Sequence, residues 1–333
     1  MTMTDELLRV DDLVVTLPTA DGPRALLGGV DLHVGRGEIV GVAGESGSGK
    51  SLTALAIMGL LPGNATRGGS IRFDGAELLD LPERRMRSLR GSRMGMVFQD
   101  PMTTLNPLFR VGDQIAEAYL IHHPRKGRAV ARARALEVLR LVGVPEPERR
   151  AQQYPHQWSG GMRQRAVIAI ALANDPELVI ADEATTALDA TIQAQVVDVL
   201  VRARDELGVS VLFISHDLGL IAQIADRAVV MYAGRVVEGA AADEIFEDSR
   251  HPYARALLAS RPGSSAPGTV LPTIPGQPAR PGLLLHGCPF EPRCRYVHRS
   301  ERCRDETPHL LASQDGRVSA CHFRDDPRME VGS

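Results

Sequence analysis

Eight consecutive residues, Gly44-Glu45-Ser46-Gly47-Ser48-Gly49-Lys50-Ser51, have the types and order needed to hold phosphate. Glycines and small serines let the backbone curl so that successive N–H groups point inward, and a following helix adds the positive end of its dipole. In such a loop Lys50 reaches the terminal phosphates and the Ser51 hydroxyl coordinates Mg²⁺. Four further groups match the needs of triphosphate hydrolysis. Asp182 and Glu183 end an apolar run, where Asp182 can hold Mg²⁺ through water and Glu183 can act as general base for the attacking water. His216 ends a second apolar run and can sense or stabilise the terminal phosphate. Gln99 follows a third. Ser159-Gly160-Gly161 opens a helix and makes a second anion site at its start. Each has a bland reading when taken alone: a surface turn, a loop carboxylate pair, a structural histidine. Together they reinforce one another, because strand ends of this kind lie side by side along one sheet edge.

These groups need elements to carry them. Residues 38–43 read as a short buried strand entering the phosphate loop, and 52–61 as the helix leaving it. Residues 94–98, 178–181 and 209–214 read as further buried strands. Asp189 caps a long helix that Gly208 ends, and residues 162–173 form another, stopped at Asn174-Asp175-Pro176. Strands alternating with helices specify an α/β fold with a mostly parallel sheet covered on both faces. Residues 7 to about 40 alternate short apolar runs with turn residues, suggesting an antiparallel sheet at the edge of the core. Ile71-Arg72-Phe73 before Asp74-Gly75 adds a strand and tight turn. From 100 to about 165 the texture changes to an Ala/Arg/Leu-rich helical insertion, with Pro145 and Pro147 stopping its main helix. If that insertion keeps Ser159 from its own phosphate loop, the economical solution is a head-to-tail dimer. The serine of one subunit then clamps the nucleotide held by the other.

At 333 residues the chain has room for one large α/β domain and an appendage. A formal net charge of -3 argues against a general nucleic-acid binder. No run approaches the ~18 apolar residues that span a bilayer, and residues 1–6 lack the basic head and apolar core of a secretory signal. The expectation is a cytosolic protein that reaches any membrane through a partner. Beyond about 261 the chain turns Pro/Gly/Ser-rich and then holds all four cysteines, Cys288, Cys294, Cys303 and Cys321, spaced C-x5-C-x8-C-x17-C. In a reducing compartment such a group suggests metal before disulfides. The paired C-x2-C of zinc ribbons is missing, and spacing leaves both Zn²⁺ and [4Fe–4S] open. Arg293, Arg295, Arg299, Arg302 and Arg304 would offset the charge of a four-thiolate centre.

The joint set resembles the nucleotide-binding subunit of an ATP-binding cassette (ABC) transporter over residues 7 to about 260, leaving 261–333 as an extension. Residues 44–51 look like its Walker A loop, Gln99 its Q-loop and 159–165 its signature motif. Residues 178–183 look like Walker B, Ala187-Leu188-Asp189 the D-loop and His216 the switch histidine. Gln99-Asp100-Pro101-Met102-Thr103-Thr104-Leu105-Asn106-Pro107, the run Tyr154-Pro155-His156-Gln157-Trp158 before the signature, His251-Pro252-Tyr253 and the cysteine tail resemble the dipeptide/oligopeptide/nickel importer branch.

The resemblance implies ATP as substrate, with Ser51, Gln99 and Asp182 around Mg²⁺. It also implies a second, related ATPase subunit, two membrane permeases, and an extracytoplasmic solute-binding protein acting through them. The chain would then sit on the cytoplasmic face of the membrane, with the segment after Gln99 carrying motion to the permeases. Some extensions of this branch are reported to carry iron–sulfur, which places [4Fe–4S] ahead of zinc. Three departures stand out: Trp158 where Leu is usual, Met162 for Gln (usual in this branch), and Leu17 where an aromatic ring often stacks on adenine. Leu17 implies apolar contact with the base and relaxed base discrimination. The runner-up is a soluble accessory ATPase of a non-transport complex, such as a phosphonate carbon–phosphorus lyase machine, whose chains end near the equivalent of residue 260.

Overall fold

The computed structural model describes residues 6–20, 22–98, 104–185, 190–260, 272–279, 286–296, 300–313 and 317–326. In chain order the first elements are β1 (Glu6–Thr19), β2 (Gly22–Gly35), β3 (Ile39–Ala43), α1 (Lys50–Ile57), β4 (Thr66–Phe73), β5 (Ala76–Glu77), α2 (Glu83–Leu89) and β6 (Met94–Val97). There follow helices α3 (Val111–His122), α4 (Gly127–Leu141), α5 (Pro147–Arg150) and α6 (Gly160–Leu172). Strand β7 (Leu178–Asp182), α7 (Ala190–Leu207), β8 (Ser210–Ile214), α8 (Leu218–Ile224), β9 (Arg227–Tyr232) and β10 (Arg235–Ala241) come next. The chain closes with α9 (Ala242–Asp248), α10 (Pro252–Ala259), α11 (Glu301–Asp305), β11 (Leu311–Ala312) and β12 (Val318–Ser319).

The chain divides into two compact units, one of residues 1–7, 34–39 and 80–214, the other of 8–33, 40–79 and 215–333. In the first, β7 pairs in parallel with β6 on one side and β8 on the other. Strands β7 and β8 are buried along their whole length, as expected of apolar strands covered on both faces. The helical insertion forms here. Ala131, Ala135, Val138 and Leu139 recur on one face of α4 and are buried, and Arg134 beside them donates to the Ala173 and Leu172 carbonyls at 2.9 and 3.3 Å. Helices α3 and α4 pack on each other, and α6 packs on both as well as on β6 and α7. Arg165 of α6 donates to the Val142 and Gly143 carbonyls at 3.0 and 2.5 Å, closing the C-terminal end of α4 with a cation.

In the second unit β3 runs parallel to β9, which pairs antiparallel with β10. A separate antiparallel sheet has the order β2-β1-β4-β5. That is the edge sheet expected from residues 7–40, extended by the Ile71–Phe73 strand and its turn. The described part of the tail pairs into the β9–β10 sheet: β12 lies antiparallel to β10 through Glu238 and Gly239, and Ala320 N–H donates to the Val237 carbonyl at 2.8 Å. The sheet core, antiparallel sheet and helical part of the expected α/β fold are all present. Among the described residues no helix is long and apolar enough to cross a membrane.

Candidate nucleotide site

Strand β3, buried throughout, delivers the phosphate loop and α1 carries the chain away. Gly44 enters the loop at φ +151, and a Cβ there would lie 2.3 Å from the Met231 carbonyl oxygen, so only glycine fits. The first turn of α1 has no side-chain cap, which leaves the helix start to an anion. Lys50 is 4% exposed, yet its ammonium rests on oxygens of its own loop: the Gly44 carbonyl at 2.7 Å, the Glu45 carbonyl at 3.0 Å and Ser48 Oγ at 3.5 Å. A cation held by neutral carbonyls is poised to exchange them for phosphate oxygens, a stronger, charge-assisted partner. Ser46, Gly47 and Ser51 are exposed, Gly49 is half-buried, and Ser48 is buried with its carbonyl accepting from Gly234 N–H.

The same unit brings His216 to this strand. Ser215 N–H donates to the Val42 carbonyl at 3.2 Å, which sets the exposed His216 just beyond the strand that feeds the loop. Ser215 Oγ accepts from Asp217 N–H at 2.9 Å, and Asp217 caps α8, so the segment bearing the histidine is pinned on both sides.

Asp182 and Glu183 belong to the other unit. Asp182 ends β7 opposite Ile214 and is 8% exposed. Glu183 follows at φ +48, a left-handed conformation uncommon for a side chain with a Cβ, and its N–H donates to the Ile214 carbonyl at 3.0 Å. Strained backbone of this kind collects at functional sites because it re-aims a side chain at the end of a strand. Ser159 caps α6, accepting from Met162 N–H at 3.4 Å, and is exposed together with Gly160. Gly161 is buried, where a Cβ would meet Ile192 at 2.6 Å. Gln99 and Asp189, expected beside the nucleotide, lie outside the described residues. Leu17, on β1, is half-buried.

Two residues that contact the phosphate loop were not foreseen in that role. The Glu45 N–H donates to Tyr253 Oη at 2.8 Å, and Arg293 forks onto the Glu45 carboxylate at 2.6 and 3.0 Å. His251-Pro252-Tyr253 opens α10. His251 Nδ1 accepts from Tyr253 N–H at 3.1 Å, and the buried Glu238 of β10 accepts from Arg250 and His251 N–H at 2.5 and 2.9 Å. Desolvation raises the Glu238 carboxyl to about 7, against the backbone N–H groups, and burial lowers His251 to about 3. The tripeptide was legible as a motif, but its chemical job was not. Its signal was a tyrosine two positions after a histidine at a helix start.

The cysteines are all placed. Cys303 and Cys321 are buried, while Cys288 and Cys294 are half-buried. The Cys288 N–H donates to the Cys303 carbonyl at 2.7 Å, and Phe323 N–H donates to Cys321 Sγ at 3.5 Å. Burial pushes the Cys288 and Cys321 thiols up to about 12, and neighbouring thiols add to the rise; N–H groups of Phe290 and Glu291 oppose it at Cys288. Among the described residues no group of three or more His, Cys, Asp or Glu is gathered to hold a metal ion. Of the arginines expected to balance thiolates, Arg293 pairs with Glu45, Arg302 with Glu306 and Arg304 with Glu291. Arg299 lies outside the described residues.

Comparison with known proteins supplies the family. Residues 27–186 match the family model described as ABC transporter, and 237–303 the one described as oligopeptide/dipeptide transporter, C-terminal region. An oligopeptide transport ATP-binding protein of Mycobacterium tuberculosis is 52% identical over 316 residues, covering 95% of this chain and 51% of that protein. The chain thus spans about half the length of the first such relatives. A probable peptide ABC transporter ATP-binding protein of Sinorhizobium fredii is 49% identical over 320 residues, 95% of each chain. A solved ABC transporter cassette, a dimer bound to ADP and Pi, is 28% identical with TM-score 0.63 and covers 71% of this chain and 98% of its own. Near half identity along almost the whole length, with both family regions in order, shows that the chain belongs to the ATP-binding proteins of ABC transporters, in the branch bearing the oligopeptide/dipeptide transporter C-terminal region.

Proposed function

We propose that this chain is the ATP-hydrolysing subunit of an importer for di- or oligopeptides or related small solutes. The observation that carries the catalytic half is the phosphate loop: an uncapped helix start, with a buried lysine resting on loop carbonyls that phosphate can replace. The match of residues 237–303 supports the peptide half. It also weighs against an accessory ATPase of a carbon–phosphorus lyase machine, because that reading has no place for this tail.

In this reading the loop N–H groups, the α1 start and Lys50 bind the β- and γ-phosphates. Mg²⁺ fits oxygen donors of the kind offered by Ser51, Asp182 and Gln99, and when bound it supplies charge neutralisation on the phosphates. Glu183 accepts a proton from the attacking water while its left-handed backbone fixes where the carboxylate points. His216 polarises the terminal phosphate. Ser159, Gly160 and Gly161 present a second helix start to ATP bound by a partner ATPase, and Asp189 is read as a further contact to the nucleotide. The cassette occupies 1–260, with the helical part at about 100–165 facing the permeases. Leu108 and Phe109, 79% and 56% exposed just before α3, give that part an apolar contact surface. Partners are a second, related ATPase, two permeases and, through them, a solute-binding protein. The chain then sits peripherally on the cytoplasmic face of the membrane.

The extension, residues 261–333, is read as holding a [4Fe–4S] cluster on Cys288, Cys294, Cys303 and Cys321. Backbone N–H groups aimed at the Cys288 and Cys321 sulfurs support a thiolate site. Zinc is the weaker fit, because the cysteine spacing lacks the paired C-x2-C of zinc ribbons.

The test is purification of a Glu183→Gln chain with ATP from detergent-solubilised native membranes without oxygen. Such a chain should bind ATP, hydrolyse it poorly and keep the closed assembly together. Two permeases and a second ATPase in the mass spectrum are the expected result. Soluble enzyme subunits without any membrane protein would overturn the importer.

A further inference from the structure

Glu45 is the only acidic residue of the phosphate loop. A free carboxylate there repels the anion that the loop exists to bind, so its charge needs an answer. The structure holds this residue at three points. Its N–H donates to Tyr253 Oη, its carbonyl accepts from Lys50 Nζ, and its carboxylate receives both arms of Arg293, Nη1 to Oε2 at 2.6 Å and Nη2 to Oε1 at 3.0 Å. Arg293 lies in the turn between Cys288 and Cys294, 248 positions along the chain from Glu45. Its own aim is fixed. The side chain is 5% exposed, Nε donates to the Pro275 carbonyl at 2.8 Å, Nη1 reaches Tyr232 Oη at 3.4 Å, and the guanidinium sits 5.9 Å from the Tyr232 ring centre. A planar fork locked in this way matches a carboxylate with both donors at once, which a lysine cannot do.

We propose that Arg293 is a positioning residue of the nucleotide site: it cancels the Glu45 charge and fixes its carboxylate, so that the cysteine-bearing segment sets the affinity of the phosphate loop for a nucleoside triphosphate. This rests on the ATP-site reading above. It also assigns the segment a task that needs no electron transfer. Removing Arg293 leaves a carboxylate with one partner gone beside a phosphate site, the situation in which truncating half of an ion pair costs more than the pair itself contributes.

The test is titration of the full chain with trinitrophenyl-ATP, with thermal melting alongside. Arg293→Met keeps the apolar stem and loses the charge. It should bind at least about tenfold more weakly at low salt, roughly 1.4 kcal/mol, with the loss shrinking at high salt as the freed charge is screened. Adding Glu45→Gln to that variant should return affinity to within about threefold of wild type, a rescue that a prop without electrostatic purpose would not show. Arg293→Lys, which keeps a charge but not the fork, should fall between, and it carries the same rescue test if Arg293→Met does not fold. Wild-type affinity in Arg293→Met, or a loss that Glu45→Gln does not relieve, overturns the inference. If wild type binds no nucleotide, or Lys50→Ala binds as well as wild type, the ATP-site reading itself has failed and the inference falls with it.

Discussion

At the scale of single residues, the proposed chemistry depends on where a few charges sit. Glu183 sits in a left-handed turn with its N–H on the Ile214 carbonyl, and as the proposed general base it is expected to contribute at least about a hundredfold to turnover. Glu183→Gln should therefore lose hydrolysis by that factor while keeping ATP affinity within about threefold, measured by phosphate release and nucleotide titration. Leu17 makes a separate prediction. Base stacking on an aromatic is worth about 1–3 kcal/mol in nucleic-acid binders, and an apolar aliphatic contact lacks that selectivity. ATP and GTP should bind within about tenfold of each other; a hundredfold preference for ATP would contradict it. Legibility differed sharply between residues. The place of Lys50 at the start of α1 could be read from the order of its neighbours, because backbone curl and helix start are local consequences of sequence. The contact of Arg293 could not, since the partner lies far along the chain and nearby cysteines offered a plausible local use for its charge.

At the scale of elements, the strands were legible wherever burial on both faces makes a run continuously apolar, as in β7 and β8. Helix ends were legible where glycine marks them: α7 stops at Leu207, before Gly208. The short strand β12 was not, because two residues carry no periodicity, and pairing with Glu238 and Gly239 on one side and with Leu311 and Ala312 on the other defines them. Glu238 is the informative position in β10. Buried and lifted to about 7 from 4.5, it contributes stability that is full below about 4.5 and lost as pH rises through about 7. His251, neutral in the fold and lowered to about 3 from 6.5, works the other way, so its stability is lost as pH falls below about 6.5. The two trends offset between pH 4.5 and 6.5. Glu238→Gln should remove the falling one, so that denaturation midpoints rise more steeply over that range than in wild type. Identical pH profiles for the two chains would show that folding does not raise the Glu238 carboxyl above its unfolded value.

At the scale of the whole molecule, the tail is the feature that sets this chain apart from a bare cassette, and its cysteines make a direct prediction. The thiols of Cys288 and Cys321 are protonated at neutral pH without metal, so loading should release protons. Anaerobic reconstitution should give about four irons and four sulfides per chain, and Cys303→Ser should abolish it. One zinc per chain, with no iron uptake, would contradict the cluster. The proposed assembly with permeases rests on resemblance, because a nucleotide site carries no mark of a transported solute. The central claim is that ATP hydrolysed here drives solute into the cell, and uptake by the reconstituted transporter tests it most directly. Proteoliposomes holding the permeases, both ATPases, the solute-binding protein and labelled peptide on the outer-facing side should move peptide only when ATP is supplied at the cytoplasmic side. Glu183→Gln in this chain should cut that movement at least about tenfold. Peptide transport that proceeds equally with this subunit omitted or with Glu183→Gln would contradict the account.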